Sequence, residues 1–311
     1  MKRFLGILIL SMAAILAPTV SHARDLKFIF VSHGQADDPF WSILKNGAFQ
    51  AGRNLGVQVE YRAPQTFDMV QMGNLIDAAV NQKPDGLIVS LPDPSALGPS
   101  LRRAAEAGIP FIVVNSGEAF ARKLGALLYI GQDEALAGKL AGERLKALGG
   151  KRGICVDVEP GNVTLDIRCR GFEEGFGGPV KIVYTSLDPT DVEAKVRAAL
   201  QADPSVDAVL TTSALIAGEP SLKAIAESGR EGKVNLATFD LSPGMLKAVA
   251  DGQAVFCIDQ QEYMYGYLPV VLLKLYDDVG TMPVNDILTG PRFITQSMAA
   301  QVIRLSAKGV R

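Results

Sequence analysis

The feature that most constrains this chain is a pattern that runs twice. Short apolar strands alternate with amphipathic helices, and after one full run the alternation begins again. The first run places strands at 26–32, 57–61, 85–90, 109–115 and 127–131. Helices fall between them, from 39 onward and over 69–82 and 95–107, and a long one follows over 133–148. The second run places strands at 152–157, 180–184, 207–211, 234–239 and 254–259. Its helices fall near Cys169 and over 192–201, 215–227 and 242–250. Strands that alternate with helices make parallel sheets covered on both faces. Two runs of similar length predict an α/β protein of two doubly wound lobes, each on a parallel sheet.

Sheets of this kind bind ligands beyond the carboxyl ends of their strands. The residues just after each strand therefore matter most, and here they are polar in an ordered way. Asp38 follows the first strand. Ser90, Asn115 with Ser116, Gln132 with Asp133, Thr212 with Ser213, Asp240, and Asp259 with Gln260 and Gln261 end later ones. One polar residue at a strand end is an ordinary helix cap. A convergent set from both lobes would ring a cleft with the hydrogen-bonding groups that polyol recognition needs.

The N-terminus carries a different signal. Lys2 and Arg3 precede an apolar stretch over 4–17, and Ser21-His22-Ala23 supplies the small residues of a cleavage site. This is the pattern of a secretory signal peptide over 1–23, cut near Ala23, and it predicts export to the periplasm. A membrane anchor would need roughly 20 apolar residues, and Pro18, Ser21 and His22 interrupt this run. No later segment is apolar for long enough, so the mature chain is not expected to be membrane-embedded. A formal net charge of −2, with no basic block, argues against nucleic acid as a partner. Of the three cysteines, Cys257 lies in an apolar strand and reads as core. Cys155 at a strand end and Cys169 where a helix begins can approach within bridging distance. A bond between them and two unpaired buried thiols both fit an exported chain.

Catalytic signatures are missing. Loss of 1–23 would leave His33 as the single histidine, which makes a His-dependent triad or a multi-His metal site hard to build. No G-x-S-x-G elbow occurs, and no G-x-G-x-x-G follows the first strand. The spacing from Gly131 to Lys139 is wrong for a phosphate loop. No metal, cofactor or catalytic residue is expected. Asn162-Val163-Thr164 fits a glycosylation acceptor, a short and weak motif.

Several segments together carry a resemblance. They are Asp38-Pro39-Phe40-Trp41, Asp85-Gly86-Leu87-Ile88-Val89, Ala107-Gly108-Ile109-Pro110-Phe111, the run DEALAGKLAG from Asp133 to Gly142, Arg168-x-x-Gly171-Phe172, Phe239-Asp240 and Asp259-Gln260-Gln261. In this order and spacing the chain resembles the periplasmic binding proteins of the ribose-binding type, the soluble receptors of carbohydrate ABC transporters. The resemblance implies two lobes joined by a three-segment hinge, one over 24–132 plus 261–290 and the other over 133–260 plus 291–311. It implies closure over a sugar or polyol, delivery to a permease and its ATPase, and a monomer.

Position by position, the resemblance implies that Asp38 bonds sugar hydroxyls and that Phe40 and Trp41 stack on the ring, burying its C–H faces. It implies that Arg168 forks onto ring and hydroxyl oxygens, that Asp240 accepts from two hydroxyls, and that Gln260 offers an amide from the hinge. Ser90 and Ser213 fall where ribose-type proteins carry Asn, and Thr190 falls near an aromatic position. Asn115-Ser116 replaces an Asp-Arg pair, so the pocket carries fewer charges and more room, which speaks against ribose itself. Three other roles are compatible with such lobes. A sensory receptor would share every one of these features. A sugar-modifying enzyme would have to use Asp38 and Asp240 as acid and base. A transcriptional repressor would need a helix-turn-helix before the first strand, where the signal peptide stands instead.

Overall fold

The computed structural model describes residues 25–34 and 38–310. The expected signal peptide lies outside them. In chain order the first run is β1 (Lys27–Val31), α1 (Pro39–Leu55), β2 (Gln58–Arg62), α2 (Met69–Asn81), β3 (Gly86–Ser90), α3 (Pro94–Glu106), β4 (Phe111–Val114), α4 (Glu118–Ala121) and β5 (Tyr129–Gln132). The second is α5 (Glu134–Ala147), β6 (Gly153–Asp157), α6 (Val163–Phe176), β7 (Val180–Tyr184), α7 (Pro189–Ala202), β8 (Ala208–Thr211), α8 (Glu219–Glu227), β9 (Asn235–Phe239), α9 (Pro243–Ala250) and β10 (Phe256–Asp259). The chain ends with α10 (Glu262–Val279), β11 (Ile287–Gly290), β12 (Arg292–Ile294) and α11 (Gln296–Ser306).

The strands form two six-stranded sheets, ordered β11-β5-β4-β3-β1-β2 and β12-β10-β9-β8-β6-β7. All pairings are parallel except β10 with β12. Each sheet reverses its winding direction between its first and third strands, β1/β3 and β6/β8, which sets the two switch points side by side. Central strands are buried throughout, as β3 and β6 show, because helices cover both faces. Phe28 and Phe30 of β1 are wholly buried, and each such side chain contributes about 1.5–3 kcal/mol. The chain crosses between sheets three times, after β5, β10 and β11. The Thr289 hydroxyl ties these crossings together, 2.7 Å from the Gln260 carbonyl and 3.2 Å from that of Gly131.

Each lobe also carries one tightly packed helix pair, α1 with α10 and α5 with α6. Glycine makes the close approach possible. A Cβ on Gly266 would run into the Leu44 carbonyl, and one on Gly175 into that of Lys139.

Two local readings need correction. α6 starts at Val163, six residues before Cys169, because Asn162 caps it after the Pro160-Gly161 turn. Cys169 therefore lies in mid-helix and Cys155 in mid-strand. They are nevertheless bonded, with Cα atoms 5.7 Å apart, which pins α6 to the sheet beneath it. The expected helix over 215–227 is split into a π-helical turn at Ala214–Gly218 and α8. Cys257 is buried and unbonded. No helix among the described residues is long and apolar enough to cross a membrane.

Candidate functional site

The carboxyl ends of both sheets face one cavity between the lobes, the place where doubly wound sheets bind small molecules. From the first lobe come His33, Asp38, Phe40, Trp41 and Asn115; from the second come Glu159, Asn162, Thr164, Arg168, Thr212, Ser213 and Asp240; Gln260 stands at the hinge. The lobes meet around it. The Val163 N–H donates to the Pro92 carbonyl at 3.0 Å, and His33 Nε2 lies 3.7 Å from Glu159 Oε2.

The first wall is aromatic. Asp38 caps α1 by accepting from the Phe40 N–H at 3.0 Å, and Pro39 opens the helix where no N–H is needed. That turn brings Phe40 and Trp41 together in a T-shaped contact, centroids 4.9 Å apart. His33 meets the Trp41 ring edge-on at 4.7 Å. The Trp41 ring lies directly on Gly34, where any Cβ would collide with it. Ser90 Oγ sits 2.8 Å from His33 Nδ1. With the hydroxyl donating to Nδ1, the neutral ring keeps its proton on Nε2, facing the second lobe. Burial holds the His33 pKa down at about 3.

The second wall is ionisable. Arg168 is 3 % exposed, and its Nε donates to Glu134 at 2.6 Å while Nη2 donates to the other carboxylate oxygen at 3.0 Å. Nη1 donates to the Thr212 carbonyl, and the guanidinium lies over the Phe239 ring. Burial opposes the Arg168 charge, but Glu134 beside it holds the pKa above its ordinary value. Asp240 accepts from Gln260 Nε2, and burial pushes its carboxyl up to about 7. Burial likewise raises Glu159 to about 7 and Asp157 behind it to about 6. Asp38 is raised for the same reason.

Asn115 and Asp240 occupy equivalent places, directly after β4 and β9. Both adopt left-handed backbone, φ 65° and 67°, which Asn and Asp tolerate better than most residues. Each N–H is tied to the next strand, Asn115 to Ile130 and Asp240 to Ile258. Such conformations persist where surrounding structure holds them, as at ligand sites.

Of the residues expected from sequence, the fold gathers Asp38, Phe40, Trp41, Asn115, Arg168, Ser213, Asp240 and Gln260 around the cavity. Three do not reach it. Thr190 is exposed in the first turn of α7, capped by Asp188, and Leu187 lines the cavity in its stead. Ser90 turns to His33, and Ser116 accepts from the Leu91 N–H, so both act behind the wall. Sequence reading missed His33, Glu159, Thr164 and Glu134. For Glu159 a signal existed, since it lies two residues after the end of β6, within the strand-end segment. Asn162, read only as a glycosylation acceptor, is 2 % exposed; it caps α6 and donates to Glu159 at 2.7 Å. No cluster able to hold a metal occurs among the described residues.

Two doubly wound lobes, three crossings and one cleft between the strand ends define the type I architecture of periplasmic solute receptors. The chain belongs to the periplasmic binding protein domain family, whose model matches residues 28–277. A carbohydrate transporter from Acidothermus cellulolyticus 11B, solved in complex with myo-inositol, is 35% identical, with a TM-score of 0.87 over 92% of this chain and 100% of that one. An ABC transporter solute-binding protein from Burkholderia graminis C4D1M, solved with D-arabinose, is 25% identical, with a TM-score of 0.80 over 88% and 96%. The xylose/arabinose-binding protein of Sulfolobus acidocaldarius is 27% identical over 291 residues, 87% of this chain and 71% of that protein.

Proposed function

We propose that this chain is the solute receptor of an ABC importer. It is exported to the periplasm and binds one monosaccharide or cyclic polyol in the cleft. The lobes, 24–132 plus 261–290 and 133–260 plus 291–311, close on that ligand about the hinge. A monomer then presents it to a permease driven by its ATPase, without metal, cofactor or chemical change to the ligand. The observation that carries this reading is the pairing of Phe40 and Trp41 on one side of the cavity with Arg168 and Asp240 on the other. Rings cover the apolar C–H face of a sugar, while fixed donors and acceptors take its hydroxyls. Relatives solved with myo-inositol and D-arabinose support the ligand class.

In this reading Asp38, Asn115, Ser213 and Gln260 add hydrogen bonds, and Asp240 accepts from two hydroxyls. A thermal-shift screen against pentoses, hexoses, deoxy sugars, amino sugars and cyclitols tests it. A ligand that binds only the folded state adds about 4 kcal/mol at a thousandfold excess over Kd. One chemical group should shift the transition strongly and the rest should not. A flat response across the panel would overturn the sugar and polyol reading.

A further inference from the structure

Arg168 meets the cleft with its charge already matched. Glu134 receives two of its guanidinium hydrogens and the Thr212 carbonyl a third. Two of the five hydrogens remain for a ligand, so Arg168 can still donate. The pair as a whole is neutral. Both side chains are buried, at 3% and 6% exposure, where an ion pair is screened little by salt. Gln132, at the first crossing, donates to the same Glu134 carboxylate at 2.9 Å, which fixes its position. Arg168 is the one permanent cation among the described lining residues, and His33 is kept neutral by burial. The other ionisable groups lining the cleft, Asp38, Glu159 and Asp240, are carboxyls.

We propose that Glu134 is a specificity-determining residue: by cancelling the charge of Arg168, it makes the cleft accept uncharged polyhydroxylated rings and reject their acidic derivatives, the uronates and polyol phosphates. This rests on the sugar or polyol reading of the cleft. An anion that enters must leave water, a cost that a free positive charge offsets most strongly. Here the guanidinium charge is spent, and nearby carboxyls repel a further negative group. A neutral ring needs donors and acceptors alone, and the cleft keeps both. Glu134→Gln removes the countercharge while leaving an amide oxygen to accept from Arg168.

Calorimetric titration of the protein and of Glu134→Gln tests this with matched pairs: myo-inositol against myo-inositol 1-phosphate, D-glucose against D-glucuronate, and D-galactose against D-galacturonate. The unaltered protein should favour the neutral member of the bound pair by about a hundredfold or more in Kd. Glu134→Gln should move that ratio toward the acid by about tenfold or more. Equal binding of acid and neutral partner by the unaltered protein overturns the proposal. So does a proportional loss of both in Glu134→Gln, which would make Glu134 a support for Arg168 and nothing else. Should that variant fail to fold, the unaltered protein's ratio measured at low and high salt decides, because a buried pair is screened little: the ratio should hold within about twofold, and a preference for the neutral member that collapses in high salt overturns the proposal. Binding of an acid alone overturns the charge argument but keeps the cleft as a polyol site. Binding of no member of any pair overturns the polyol reading, and this proposal with it.

Discussion

The two walls of the cleft stand on the same scaffold and are made of different chemistry. The first lobe offers rings: His33, Phe40 and Trp41, packed edge-on against one another, with Trp41 lying on the backbone at Gly34. The second offers ionisable groups: Glu159, Arg168 and Asp240. Yet the strand ends behind them match, down to the left-handed residues Asn115 and Asp240. The duplicated scaffold sets where side chains enter, and residue type alone decides what each wall does. An apolar wall tolerates trimming in proportion to lost area. A buried charge wall does not, because removing one partner strands the other.

That contrast orders the expected effects. Arg168→Ala leaves Glu134 buried and unpaired and should cost about 3–5 kcal/mol in urea unfolding; a cost under about 1 kcal/mol would show that water replaces the guanidinium. Breaking the disulfide with Cys155→Ala and Cys169→Ala frees α6, which carries Arg168. With cysteines 14 residues apart, the stability loss should be about 3 kcal/mol, with no comparable effect on the first wall. Trp41→Ala should weaken ligand binding by about 2 kcal/mol while costing the ligand-free fold less than Arg168→Ala does.

Within the cleft, the buried carboxyls and His33 differ in the sign of their pH response. Burial holds Asp240 and Glu159 at about 7, from 3.8 and 4.5, and Asp157 at about 6. The folded second wall thus keeps protons that the unfolded chain has released, so its stability falls as pH rises from about 4 through about 7. His33 is lowered from 6.5 to about 3. Its contribution is lost in the opposite direction, as pH falls below about 6.5. Between about pH 6.5 and 8 the carboxyls act alone, so Tm should fall as pH rises, and Asp240→Asn should flatten that slope. Thr190→Ala should change stability and binding by less than about 0.5 kcal/mol, as at any exposed site away from the cleft. A large loss there would mean that α7 reaches the ligand.

Much of the fold was legible because both lobes obey one period. Buried parallel strands read as continuous apolar runs, and the polar residues Asp38 and Asp133 stand where helices start, whereas the cap at Asn162 was hidden behind its reading as a glycosylation acceptor. The strand-end rule also led to Asp240, Asn115 and Gln260. It failed where the chain turns before reaching the cavity. Thr190 faces water because the cap at Asp188 starts α7 before the chain reaches the cleft. Glu134 was hidden for another reason. An acid in the first turn of a helix is ordinary dipole chemistry, and nothing local shows that it meets Arg168, 34 residues away. Pairings of that kind are made by tertiary packing, here by the glycine-stepped contact of α5 with α6.

The most direct test uses a feature of the sequence itself: Trp41 is the single tryptophan, and it stands in the cleft wall. Titrating the protein with myo-inositol, D-xylose, L-arabinose and D-glucose should change its intrinsic fluorescence, saturably, for at least one of them. The same titration of Asp240→Ala, which keeps Trp41 but alters the opposite wall, should lose that change. A saturable signal that survives Asp240→Ala unaltered would contradict a site built from both lobes. So would calorimetric binding of a sugar that leaves Trp41 fluorescence untouched.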